Sequence, residues 1–279
     1  MANSARDPKL ALDELRRTLS ESEIDASRAA DALLVVLEAE AAATIDEVLV
    51  QQLVALLGSV GRTAQRRLSE VLQPLARQHA GCRAALEAAL ASAEASLRWG
   101  AAYTLGNAFG PSEALAGPIL EMLGDEDGDS RWAAAELACA WARRHASFED
   151  ELRAATRAES SALRRMALYC LRNLGVPDLT DLARERLGDP DAYGRLAGLT
   201  ALAAARPASA QADAAVPVVQ RLVEADPDAG VRRAAAIALG RLLPAASASA
   251  RTAGHATLER AAADSDASLA HAAAKALRS

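Results

Sequence analysis

Small and apolar residues return along this chain every three or four positions, the interval of one face of a helix, rather than in the alternation of a strand. The helical pattern itself repeats. Ala64-Gln-Arg-Arg-Leu68, Leu97-Arg-Trp-Gly-Ala101, Ser130-Arg-Trp-Ala-Ala134, Leu163-Arg-Arg-Met-Ala167, Gly194-Arg-Leu-Ala-Gly198, Val231-Arg-Arg-Ala-Ala235 and Leu269-Ala-His-Ala-Ala273 align without gaps. Their second positions fall at 65, 98, 131, 164, 195, 232 and 270, in steps of 33, 33, 33, 31, 37 and 38 residues. The same steps carry Leu72 to Leu105, Ala138, Leu171, Leu202, Leu239 and Leu277, so two places in the pattern agree in register. A period of this length marks a stack of small helical units, none of which can bury its apolar face alone.

Each unit reads as an apolar helix, a short polar turn and a second helix whose template positions 1, 5, 8, 9 and 12 are small or apolar. The turns Asp125-Glu-Asp-Gly-Asp-Ser130, Asp189-Pro-Asp-Ala192, Asp226-Pro-Asp-Ala-Gly230 and Asp264-Ser-Asp-Ala-Ser268 suit the start of that second helix. Asp and Ser accept hydrogen bonds from its free N–H groups, and negative charge is favourable there. Pro118 and Pro217 are expected to begin or kink first helices, and Pro74 to kink a second one. Helical stretches near 8–19, 24–40, 45–58 and 62–78 read as two divergent units. Residues 1–79 would then lead into clear repeats over 80–279, in a single solenoid spanning 1–279.

Composition strengthens the all-helical reading, because 51% of residues are hydrophobic but only 3% aromatic, leaving Ala, Leu and Val to form closely packed helices. The segment from Met1 to Pro8 has no apolar core behind a basic start, and no stretch is long and apolar enough to cross a bilayer. A soluble, unexported, cytoplasmic protein without membrane contact is expected. Cys82, Cys139 and Cys170 are an odd set without CxxC spacing, which suggests neither a disulfide framework nor a zinc knuckle. A net charge of -6 and a pI near 5.4 argue against general nucleic-acid binding, which needs many Lys and Arg contacts to phosphate. A local basic patch stays open.

The segments 187–199 and 226–240 resemble the HEAT family, in particular its short bacterial repeats related to the phycobilisome-lyase HEAT-like repeats; both carry Asp-Pro-Asp-Ala shortly before Arg195 and Arg232. The resemblance implies an all-α, right-handed α-α superhelix of about eight helix pairs, a HEAT-like solenoid whose second helices line a concave groove. It also implies that the Arg at template position 2, namely Arg98, Arg131, Arg164, Arg195 and Arg232, forms a ladder with turn acids between repeats. The architecture carries no activity with it.

Template positions 3, 7 and 11 share a face turned away from the buried set. Position 3 reads Arg66, Trp99, Trp132, Arg165, Leu196, Arg233 and His271; position 7 reads Glu70, Tyr103, Glu136, Tyr169, Thr200, Ile237 and Lys275; position 11 reads Pro74, Asn107, Ala140, Asn173, Ala204, Arg241 and Ser279. The candidate binding set is Arg66, Glu70, Trp99, Tyr103, Asn107, Trp132, Glu136, Arg165, Tyr169, Asn173, Arg233 and Arg241. Trp, Tyr and Arg are the types enriched at binding hot spots. The competing expectation is that Trp99 and Trp132 fill space beside Gly100 and Ala133. Cations exceed acids on this face, which would steer an acidic partner toward it; the alternative is a solvated face with local ion pairs.

Sites for chemistry are sparse. His79, His145, His255 and His271 are each followed by Ala, unlike the His-Glu pairs of the HEAT deoxyhypusine hydroxylases, and none pairs at metal-ligand spacing. Asp125, Asp127, Asp129 and Glu136 fit a calcium-loop count, but the glycine is Gly128 and the helix begins too early. No nucleotide or serine-hydrolase motif stands in its context. No catalytic residue, metal or cofactor is therefore expected, and a non-catalytic scaffold or adaptor for a protein or peptide with acidic segments is the leading reading. Two alternatives follow from resemblance. Trp99, Tyr103, Trp132, Glu136 and Arg165 resemble the concave set of HEAT-like DNA glycosylases of the alkylation-repair type, and a bilin-lyase-like protein would hold a tetrapyrrole among the aromatics. The last helix near Ser279 lacks a polar cap, so its end is expected to be covered by another copy or by a partner.

Overall fold

The computed structural model describes residues 7–21, 24–110 and 112–278; Met1 to Arg6 and the groove position at Ser279 lie outside them. Among the described residues there are sixteen α-helices and no strand, arranged as successive pairs. Short 3-10 turns occur at Ala42–Thr44, Glu113–Leu115 and Leu243–Ala245.

The chain forms two compact units, Met1–Met122 with Asp127–Trp141, and Leu123–Glu126 with Ala142–Ser279. The first carries α1 (Pro8–Leu19), α2 (Ala26–Glu38), α3 (Glu47–Ser59), α4 (Arg62–Gln78), α5 (Ala80–Ala89), α6 (Ala95–Phe109), α7 (Ala116–Leu123) and α8 (Gly128–Ala142). Here α2 packs on α4 and α4 on α6, while α3 packs on α5. The second unit carries α9 (Ala146–Ala155), α10 (Ser161–Leu174), α11 (Leu179–Arg186), α12 (Ala192–Ala204), α13 (Ser209–Ala225), α14 (Ala229–Leu242), α15 (Ala248–Ala262) and α16 (Ala267–Ala276). In it α10, α12, α14 and α16 form one layer of side-by-side second helices, and α13 packs on α15 in the layer of first helices.

The polar turns build the second helices as their chemistry requires. Asp127, Asp228 and Asp266 accept from the N–H groups of Ser130 (2.7 Å), Val231 (2.9 Å) and Ser268 (2.9 Å), capping α8, α14 and α16. The acid two residues earlier holds the cap itself: Asp189, Asp226 and Asp264 accept from the N–H groups of Asp191, Asp228 and Asp266 at 3.0, 2.9 and 2.8 Å. An Arg four residues beyond the cap then closes the turn. Arg195 Nη1 donates to the carbonyls of Asp189 and Pro190, and Arg232 Nη1 to those of Asp226 and Pro227.

The same arginines reach onward to the next repeat. Arg164 forks onto Asp189 at 2.7 and 2.8 Å, and Arg195 onto Asp226 at 2.7 and 2.9 Å. Arg232 meets Asp266 at 3.6 Å. In the first unit Arg98 departs from the expected turn acid and binds Glu121 on α7 instead, at 2.5 Å. Gln65 takes the Arg place on α4 and donates to the carbonyls of Leu57 and Ser96, an uncharged rung. Asp189 is held well below the ordinary carboxylate range chiefly by the Arg164 guanidinium, against the opposing effect of burial.

The buried positions extend the expected set. Position 6, occupied by Ser69, Ala102, Ala135, Leu168, Leu199 and Ala236, is buried as well. Second helices such as α4, α12 and α14 are flanked on both sides by other second helices and backed by first helices, so their buried arc is wider than one stripe. Both α4 and α13 run through their prolines, Pro74 and Pro217.

Candidate functional site

The 3-7-11 face of the first unit divides into open and covered members. Arg66 and Glu70 are exposed on α4 and pair at 3.4 Å. Trp132 on α8 is 51% exposed, and Glu136 one turn on is also exposed. Asn107 is exposed and donates to the carbonyl of Tyr103 at 2.8 Å. Trp99 follows the competing expectation of a space-filling side chain and not that of an open anchor, because only 5% of it is accessible. Gly100, Ala133 and Ser69, which line the same cleft as Trp99, are small. Tyr103, half-buried, covers Trp99 with ring centroids 5.5 Å apart and planes inclined at 50°.

A cleft of about 220 Å³ opens beside this pair, walled by Arg62, Arg66 and Ser69 of α4, Trp99 and Tyr103 of α6, and Ser130 at the start of α8. Ser69 is 1% exposed and its hydroxyl has no hydrogen-bond partner among the described residues. Asp127, near the cleft, is held low chiefly by the Ser130 backbone N–H that it caps.

The second unit presents a different surface. Arg165 on α10 lies over the Tyr193 ring of α12, its guanidinium carbon 5.3 Å from the centroid, and Arg172 lies over Tyr169 at 4.9 Å. Tyr169 is half-buried, whereas Asn173, Arg233 and Arg241 are exposed. Ile237 is 46% and Tyr193 64% exposed. The groove charges thus separate by unit: Arg66 stands with Glu70 and Glu136 in the first, while Arg165, Arg233, Arg241 and Lys275 stand without acids in the second.

Tyr193 was missing from the expected set. It precedes Leu196 by three residues and Thr200 by seven, so helical spacing already put it on their face. Cys82, Cys139 and Cys170 are all buried, and burial pushes the Cys82 thiol up to about 12. Among the described residues no cluster of three His, Cys, Asp or Glu side chains is placed to hold a metal ion, and no helix is long and apolar enough to cross a membrane.

Comparison with known proteins agrees with the helical pairs. HEAT repeats are matched over residues 116–203 and again over residues 215–246. No curated protein matches the chain. Among solved structures, a Kap121p mutant superimposes with a TM-score of 0.56 at 12% identity, covering 96% of this chain and 33% of that one. A Kap95p structure, described with RanGDP, gives a TM-score of 0.59 at 15% identity, covering 96% of this chain and 38% of that one. The chain therefore spans about a third of the length of these two structural neighbours, and the likeness establishes a HEAT-like solenoid fold.

Proposed function

We propose that this chain is a non-catalytic, cytoplasmic protein-binding scaffold or adaptor that receives its partner on the open faces of its second helices. The observation that carries this reading is Trp132, which is 51% exposed, while Trp141 on the same helix is 4% exposed. An exposed Trp beside charged neighbours supplies a large, rigid contact with a polar handle, the usual makeup of a binding hot spot. Tyr193 and Ile237 add exposed apolar area on the corresponding helices of the second unit. Kap95p, of similar fold, is described as binding another protein, RanGDP, which supports the same use of the architecture.

Neither alternative gains a specific observation. Trp99 offers no open ring face for stacking on a nucleic-acid base. The first-unit cleft, about 220 Å³, falls below the ~300–1,000 Å³ of pockets for drug-sized ligands and is small for a tetrapyrrole. The reading is tested by replacing Trp132 with Ala and measuring capture of native partners together with thermal melting. Loss of a partner by about tenfold or more at an unchanged melting temperature is expected. Undiminished capture of every partner would overturn it.

A further inference from the structure

The second helices of the second unit, α10, α12, α14 and α16, contain no Asp or Glu at all. Apart from Arg172, which lies over the Tyr169 ring, their cations fall into two groups. Arg164, Arg195 and Arg232 are engaged by the ladder acids Asp189, Asp226 and Asp266. Arg165, Arg233, Arg241 and Lys275 lie on the 3-7-11 face, and among the described residues none has a carboxylate within ion-pairing distance. The acids of this unit sit elsewhere, in the turns and on first helices, as with Glu149 on α9, Glu185 on α11, Glu224 on α13 and Glu259 on α15.

The helix dipole suits Arg241 and Lys275, in the last turns of α14 and α16, but does not account for Arg165 and Arg233. Arg165 and Arg233 stand near the N-terminal ends of α10 and α14, where the helix dipole gives a positive charge no stabilisation. Both lie on the 3-7-11 face. Between them in the same row lies Leu196, and one turn further along lie Tyr169 and the exposed Ile237. Contact with Tyr193 orients the Arg165 guanidinium.

We infer that this face binds an acidic peptide segment of a partner protein, with carboxylates on Arg165 and Arg233 and an apolar side chain between them against Leu196 and Ile237. The inference rests on the protein-binding reading and names its partner chemistry. Spacing follows from the layer. Packed helices lie about 8–10 Å apart, so Arg165 and Arg233, two helices apart, are separated by roughly 16–20 Å. An extended chain covers that distance in about five or six residues at ~3.3 Å each. The recognised segment therefore carries acids about five or six positions apart, with an apolar residue midway. A peptide fits better than a nucleic acid because a phosphate backbone would leave Leu196 and Ile237 facing water, and because the chain as a whole carries a net charge of -6.

The test is fluorescence anisotropy with the full chain and a labelled peptide of about twelve residues, bearing glutamates five apart and leucines between them. A peptide with glutamines in place of the glutamates and a single-stranded DNA oligomer serve as comparisons. The wild-type chain is expected to bind the acidic peptide, more weakly as salt rises, and in preference to both comparisons. The double variant Arg165→Glu/Arg233→Glu is expected to lose about tenfold or more in affinity, and Arg221→Glu on first helix α13 is expected to lose none. Circular dichroism melting confirms that the variants are folded. No binding by the wild type, equal binding by the double variant, or tighter binding of DNA each overturns the inference. If Trp132→Ala loses a native partner that Arg165→Glu/Arg233→Glu retains at full affinity, the acidic-segment inference fails while the protein-binding reading stands.

Discussion

Replacing Asp189 with Asn tests the physics of the repeat ladder at its most buried rung. The Asp189 carboxylate is fully buried, and the Arg164 side chain is 11% exposed. The carboxylate receives both arms of the Arg164 fork at 2.7 and 2.8 Å, the N–H of Asp191 at 3.0 Å, and Arg186 at 3.5 Å. Asn keeps the shape and one acceptor oxygen but leaves the guanidinium without a counter-charge. Breaking a buried pair from one side costs about 3–5 kcal/mol, and the retained acceptor puts Asp189→Asn near the lower end. At ~2–4 °C per kcal/mol for a chain of this size, the melting temperature should fall by roughly 6–12 °C. The proper comparison is Arg157→Gln, which breaks the Arg157–Glu185 pair of 2.9 Å between side chains 57% and 41% exposed. Exposed pairs contribute about 0–1 kcal/mol, so that change should shift melting by a few degrees at most. Thermal and urea unfolding followed by circular dichroism give both values. Asp189→Asn no more destabilising than Arg157→Gln would refute the assignment of the ladder as a structural lock.

Two further outcomes follow from the same geometry. Asp189 and Asp178 have carboxyls lowered by Arg164 and Arg153, so the stability they contribute is complete above the unfolded carboxylate value of about 3.9 and is lost as pH falls through their folded values. Urea titrations from pH 6 downward should show stability falling below about pH 4, less steeply in Asp189→Asn; equal slopes would count against the pairing. Gly198→Ala should destabilise by about 1–3 kcal/mol, although Ala is the better helix former by ~1 kcal/mol, because its Cβ would stand 2.8 Å from the Ala183 carbonyl oxygen where α11 and α12 approach. A stability gain measured by urea denaturation would show that the helices can separate freely.

Much of the fold was legible because its determinants are local. The expected stretches 8–19 and 62–78 coincide with Pro8–Leu19 and Arg62–Gln78, where Asp7 and Gly61 precede the helical period. The Asp-x-Asp turns and the position-2 arginines were equally readable, since caps and forks act at fixed offsets. Trp99 was legible only as two competing expectations, an open anchor or a filler beside Gly100 and Ala133, because one repeat's pattern does not say how closely its neighbours approach; the structure buries it. Arg98 likewise turned to Glu121, a first-helix residue outside the turn pattern. The acid-free second helices of the second unit were written plainly in the chain, but averaging charge over all repeats masked them.

The most direct test of the binding assignment is hydroxyl-radical footprinting of the chain, alone and saturated with a captured native partner. Protection is predicted at side chains on the open second-helix faces, at Trp132 or at Tyr169, Tyr193 and Ile237, with first-helix residues such as Leu10 and Val48 unchanged. Protection confined to the first helices, with Trp132, Tyr193 and Ile237 oxidised as fast in the complex as in the free chain, would contradict the account.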